Sequence, residues 1–270
     1  MRVALVQMYC GWGELEANLC SMERFTRNAQ AGGAEAVFFP ELTITGIYKD
    51  DPVWTLAEDL DGPSVRRARD IARSAGVWLG FGFTERASPL PYNAYCVAAP
   101  DGQLAGVYRK NCIPRLEVPW WQGHSERPLF DVAGRRTGVA ICWDTTQPDL
   151  LADYGARGAK IVLMPHAWDA DPLAADGVDL PHDSMAELYE HQRAGRLAGW
   201  RTHDEMRAQF YGYIPQRARE NGFWALFINQ AGQPHPAVRI EGPTFAVNPA
   251  GEVVAETQNG AEQIVFAQID

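Results

Sequence analysis

The sequence predicts an α/β fold in which sheets are covered by helices. Two observations carry this. Short apolar, β-branched runs alternate with stretches whose apolar residues recur at helical spacing. Several of those runs are continuously apolar, as strands buried in a sheet are, and three of them lead into Glu41, Lys110 and Cys142, each followed by a loop. Periodicity alone does not say whether there is one sheet or two.

In order, residues 2–8 read as the first strand. Leu15, Leu19, Met22 and Phe25 mark a helix over 14–31, stopped by Gly32-Gly33. Residues 35–39 form the second strand, which runs into Glu41. Gly62-Pro63-Ser64 starts a helix that Gly76 ends, and 77–83 is a strand. Pro100-Asp101-Gly102 joins 93–99 to 103–108 as a hairpin, with Lys110 just beyond. Residues 111–127 show no period and read as an ordered loop. A second hairpin, 129–132 with 137–141, ends at Cys142. A helix over 148–155 and a buried strand over 161–164 follow. Residues 165–215 carry a loop rich in Asp, Ala and Pro. Helices are expected at 184–197 and 203–211, capping a cleft or contacting a partner. A helix ending near 221 leads into strand 223–229, and the last strands are 244–247, 252–255 and 263–267. No linker, repeat or low-complexity tract divides the chain, so one domain over 1–270 is expected, with a longer helical insertion around 167–215.

Composition excludes several functions. The 270 residues carry a net charge of −10, which gives no electrostatic case for nucleic acid or an anionic membrane. No apolar run approaches the ~20 residues of a membrane span. The first residues enter a strand with no signal-peptide layout, and the five cysteines show no CxxC spacing. A reducing cytoplasm is the expected location. The six histidines lack HExxH or paired-ligand spacing, so no metal site is expected.

Cys142 closes the run Gly138-Val139-Ala140-Ile141 and precedes a polar stretch, where α/β proteins place chemistry. If Pro148 opens the next helix, the backbone N–H groups around Trp143 face the thiol and favour thiolate. On this segment alone a buried structural cysteine is as good a reading. Glu41 alone could be a helix-start carboxylate, and Lys110 alone a solvated edge cation. Together they form a chemical set. A thiol needs an adjacent base, a carboxylate can serve as one, and an ammonium can hold an oxyanion.

Phe39-Pro40-Glu41, Tyr108-Arg109-Lys110 and Ile141-Cys142-Trp143-Asp144 resemble the three signature segments of the nitrilase superfamily of carbon–nitrogen hydrolases. Their order and spacing match. Glu41 to Gly46, Tyr92-Asn93, Arg219-Glu220-Asn221, Asn229-Gln230-Ala231-Gly232 and Pro249-Ala250-Gly251 extend the resemblance nearly end to end. It implies a four-layer αββα sandwich, a homo-oligomer, and a reaction that needs no metal or organic cofactor. It also implies roles: Glu41 as base, Cys142 as nucleophile, Lys110 and the Trp143 backbone N–H on the oxyanion. Glu117, seven positions after Lys110, matches a second glutamate found in the amidase branch and would orient Lys110 or water; a solvated loop carboxylate is the alternative.

The implied substrate is a small amide or N-carbamoyl compound. Asp144 favours it over a nitrile, since true nitrilases of the family more often carry glutamate there. Tyr48, Trp120, Trp121, His166 and Trp168 are candidate pocket residues, although the aromatics are equally candidates for core or interface. Three other readings remain at this stage: a nitrilase, an acyltransferase using the same three residues, and a non-catalytic binding protein on the same scaffold.

Overall fold

The computed structural model describes residues 1–47, 53–170, 172–174, 187, 190–191, 193–235 and 238–270. Two six-stranded sheets organise them. In the first, β1 (Arg2–Gln7), β2 (Ala36–Phe38) and β3 (Trp78–Glu85) are parallel, and β4 (Tyr92–Ala98) and β5 (Leu104–Arg109) continue antiparallel from β3. In the second, β6 (Phe130–Val132) pairs with β7 (Arg135–Val139), which lies parallel to β8 (Ile161–Pro165). A minor pair, β9 (Pro172–Ala174) with β10 (Leu197–Trp200), branches off after β8. The second sheet resumes with β11 (Trp224–Ile228), parallel to β8. A separate hairpin, β12 (Ala231–His235) with β13 (Val238–Glu241), comes next. The second sheet ends with β14 (Phe245–Val247) and β15 (Val253–Glu256), and β16 (Gln263–Gln268) returns to pair with β1 in the first.

The period of two along each strand sorts the side chains between layers. In β1, Val3 and Leu5 face the second sheet and pack with Val139, Leu163 and Leu226. Ala4 and Val6 face outward, under Leu19, Met22 and Phe25 of α1 (Leu15–Ala31) and Val65 and Ile71 of α2 (Pro63–Ala75). The second sheet does the same. Val162, Met164, Ala225 and Phe227 face Leu150 and Leu151 of α3 (Pro148–Ala156), Met206 and Phe210 of α4 (His203–Tyr211) and Ile214 of α5 (Ile214–Asn221). The layers are therefore helix, sheet, sheet, helix. Periodicity had left the number of sheets open.

Helix ends follow the sequence signals. Gly62 caps α2 with Pro63 at its first position, and Gly76 closes it in the left-handed region at φ 65°. Thr202 caps α4 in a capping box with Glu205.

Two elements differ from expectation. Leu197 opens β10 instead of ending a helix. Of the helix expected over 184–197, Glu187, Glu190, His191 and Arg193 are helical, and Ser184 lies outside the described residues. The β12–β13 hairpin was not foreseen. β9, β10 and β12 contain Pro or Gly and almost no β-branched residues, so local propensity gives no strand signal. Among the described residues, no helix is long and apolar enough to cross a membrane.

Candidate active site

The chain leaves β2, β5, β7 and β8 toward one place, and each exit carries a polar group. Glu41 lies three residues beyond β2. The Phe39 carbonyl accepts from the Tyr95 hydroxyl at 2.8 Å, and the Glu41 carbonyl accepts from Gln230 Nε2 at 2.8 Å, so the backbone around Glu41 is held on both sides. Its carboxylate is fully buried. Oε1 accepts from Lys110 Nζ at 2.9 Å and from Asn93 Nδ2 at 2.7 Å, and Oε2 accepts from the Ala167 amide at 2.7 Å.

Lys110 follows β5 directly and is likewise fully buried. Its ammonium also donates to Glu117 Oε2 at 2.9 Å. Glu117 sits in a 3₁₀ turn, Arg115–Glu117, within the segment expected to be an ordered loop. Burial works against the lysine charge, but the carboxylates of Glu117 and Glu41 outweigh it and hold the ammonium well above the usual lysine range. A thiolate at Cys142 would act in the same direction.

Cys142 adopts φ 49°, in the left-handed region, and opens a 3₁₀ turn, Cys142–Thr146. For a residue with a Cβ this conformation is strained and needs its surroundings to hold it. Thr145 Oγ1 donates to the Cys142 carbonyl at 2.7 Å, and the Asp144 amide donates to the Ile141 carbonyl at 3.0 Å. The Trp143 N–H precedes that first turn bond, so it is one of the donors a helical turn leaves for an outside acceptor. Pro148 does open the next helix, α3, and the 3₁₀ turn that carries Cys142 precedes it.

A cleft of about 350 Å³ reaches Cys142 and is lined by Arg115, Glu117, Trp143, Ala167, Trp168 and Asp169. Glu41 and Lys110 do not line it. Trp168 stands against Trp143, with ring centroids 5.6 Å apart, and its backbone is clamped by Asn229, which accepts from the Trp168 amide at 3.0 Å. Three other candidate pocket residues fall elsewhere. His166 is wholly buried and stacks on Phe227 at 3.9 Å. Its Nδ1 meets the Met164 carbonyl at 2.8 Å and its Nε2 meets Thr145 Oγ1 at 3.3 Å, so it braces the turn that carries Cys142. Burial pushes its pKa down to about 3, so the ring is neutral at pH 7. Trp121 is a buried member of the cluster with Leu42, Ala167 and Ile240, and Trp120 stacks on Trp54 at 6.3 Å. Tyr48 lies outside the described residues. Asp144 is fully buried too, so its carboxylate does not read the substrate.

Sequence reasoning assigned no role to Asn93, Gln230, Asn229 or the Ala167 amide. The first three belong to polar pairs, Tyr92-Asn93 and Asn229-Gln230, that stand in or beside apolar runs. A polar residue in a buried strand needs a buried partner, and that was the available signal.

The carbon-nitrogen hydrolase family description matches residues 2–270, and the chain belongs to that family. Curated relatives include N-carbamoylputrescine amidase of Arabidopsis thaliana, 26% identical over 99% of this chain and 86% of that protein. Citrullinase of Francisella tularensis is 27% identical over 100% of this chain and 89% of its own length, and a nitrilase of Pyrococcus abyssi is 29% identical over 100% and 90%. Among solved structures, a Glu-to-Gln variant of the amidase from Nesterenkonia sp. AN1, with acrylamide added at its active-site cysteine, superposes with a TM-score of 0.78 at 22% identity, covering 100% of this chain and 93% of that one. The fold is the αββα sandwich of the nitrilase superfamily, and the protein is a hydrolase of carbon–nitrogen bonds other than peptide bonds.

Proposed function

We propose that the protein hydrolyses a small amide or N-carbamoyl compound through a thioester on Cys142. The observation that carries this reading is the buried Lys110 ammonium, held between Glu41 and Glu117 beside a cleft that ends at a left-handed Cys142.

Cys142 Sγ attacks the carbonyl carbon while its proton passes to Glu41. An ionised carboxylate offers about four lone-pair sites, so the three donors on Glu41 leave room for that proton. The oxyanion forms against the Lys110 ammonium and the Trp143 N–H. Its collapse breaks the C–N bond, and Glu41 returns the proton to the departing ammonia or amine. Water then attacks the thioester with Glu41 again accepting a proton, which restores the thiol and releases the acid. Glu117 holds Lys110 in place. The residues at the mouth, Trp143 and Trp168, select what enters. The proposal extends to a cytoplasmic homo-oligomer of single-domain subunits, which light scattering and cell fractionation test.

The relatives named N-carbamoylputrescine amidase and citrullinase support the amide and N-carbamoyl class. A nitrile is the second reading. The Pyrococcus relative is named a nitrilase. An ammonia-release screen over amides, N-carbamoyl compounds and nitriles separates the two, with Cys142→Ala as control. The expected result is ammonia from an amide or N-carbamoyl compound and none from the variant. Wild-type turnover by Cys142→Ala would end the covalent reading.

A further inference from the structure

The mechanism above gives Asp144 no step, yet its carboxylate, like that of Glu41, is bonded to strand exits of both sheets. It is wholly buried. Three donors reach it from the exit of β5: the Tyr108 hydroxyl to Oδ2 at 2.8 Å, the Cys112 amide to Oδ1 at 2.7 Å and the Asn111 amide to Oδ2 at 3.4 Å. A fourth, the Ile141 amide, donates to Oδ2 at 3.0 Å from the exit of β7. These donors flank the two reacting residues in the chain. Tyr108, Asn111 and Cys112 bracket Lys110, and Ile141 immediately precedes Cys142. β5 and β7 belong to different sheets, so no strand ladder fixes one exit against the other.

We propose that Asp144 is a positioning residue: its ionised carboxylate staples the strand exit that carries Lys110 to the turn that carries Cys142, and so sets cation and thiol in register across the two sheets. Charge-assisted hydrogen bonds are roughly twice as strong as neutral ones, which suits a carboxylate to this task. A protonated acid keeps less acceptor capacity for the same donors. Among the described residues, the titratable and charged groups that act on Asp144 include Tyr108 on β5, Lys110 and Cys112 just beyond it, and Tyr154 on α3, with Arg127 acting on Cys112 and Tyr154. Burial pushes the carboxyl up to about 6, with the Cys112 amide, the Tyr108 hydroxyl and the Lys110 charge working against it. The staple therefore loosens as pH falls through that value.

The proposal rests on the amide-hydrolase reading for its kinetic test, while its thiol test needs no substrate. The full-length protein, Asp144→Asn and Tyr108→Phe are compared by the pH profile of Cys142 alkylation with iodoacetamide, read by peptide mapping, and by kcat and KM for ammonia release. A misplacement of about 1 Å costs on the order of a hundredfold, so Asp144→Asn is expected to lose about tenfold to a hundredfold in kcat and in alkylation rate, with KM within about threefold. Its alkylation profile loses the acid limb near pH 6 while cooperative unfolding is kept. Tyr108→Phe removes a donor that favours the ionised form and moves the limb to higher pH. Wild-type alkylation and kcat in Asp144→Asn, or a change in KM alone, overturns the proposal. If Asp144→Asn does not fold, an unshifted limb in Tyr108→Phe overturns it. A wild-type protein that shows the limb and its shift but hydrolyses no amide supports the staple and refutes the reaction.

Discussion

At the scale of single residues, the site depends on which partners each charge keeps. Glu41 meets Lys110, Asn93 and the Ala167 amide, so Glu41→Gln retains acceptors for some of them but cannot take a proton. Amide turnover should collapse. With an activated acyl donor, whose leaving group needs no proton, the first half-reaction still runs and the thioester accumulates. Intact-protein mass spectrometry should show one added acyl group on Cys142. Ordinary amide turnover at the wild-type rate, with no adduct, would move the base to Glu117. Lys110→Ala tests a different quantity. It leaves two buried carboxylates uncompensated, and breaking a buried ion pair typically costs about 3–5 kcal/mol. Urea unfolding should show a loss of that order, and an unchanged midpoint would mean the ammonium is not the counter-charge. Glu41, Lys110 and Cys142 could be singled out as candidates in the sequence because each stands at the end of a strand-like run, and the structure joins the first two by a hydrogen bond. Asn93, Gln230 and Asp144 were not, because sequence position does not say that a polar side chain is buried or what it meets.

At the scale of elements, the strands with β-branched, continuously apolar runs were legible to within a few residues, and so were the helices with Gly or Pro at their ends. The pairs β9–β10 and β12–β13 were not, since tertiary pairing makes them strands against their own propensity. One glycine shows how an element positions the site. A Cβ at Gly82 in β3 would lie 2.3 Å from the Leu42 amide nitrogen and 3.0 Å from the Glu41 carbonyl carbon. Leu42 itself is left-handed at φ 49°, and the Ile44 amide donates to the Gly82 carbonyl at 3.0 Å. The bare strand lets the Glu41 turn lie flat on β3. Gly82→Ala must lift that turn and carry the carboxylate away from Lys110. Overpacking of this kind costs about 1–3 kcal/mol, and a shift of about 1 Å at the base costs on the order of a hundredfold in kcat. Denaturant midpoints and kcat measure both. Wild-type kcat in Gly82→Ala would show that the turn does not depend on this contact.

At the scale of the whole molecule, two buried groups beside the nucleophile turn set opposing pH dependences of stability. Asp144 is raised from 3.8 to about 6, and His166 is lowered from 6.5 to about 3. For Asp144, the folded protein holds the extra proton between those values. Its contribution is full below pH 3.8 and is lost as pH rises through about 6. For His166, the unfolded chain holds the extra proton. Its contribution is full above pH 6.5 and is lost as pH falls toward 3. Between about pH 4 and 6 the two slopes have opposite sign and similar size, near 1.4 kcal/mol per pH unit for each proton, so they largely cancel. Asp144→Asn removes one arm. Its stability should therefore fall more steeply than wild type as pH drops through that window, by up to about 1.4 kcal/mol per unit. His166→Gln removes the other arm and should tilt the difference the opposite way. Urea midpoints at a series of pH values give the slopes, and taking variant minus wild type cancels every carboxylate common to both. Parallel curves for Asp144→Asn and wild type would mean that Asp144 does not titrate in this range.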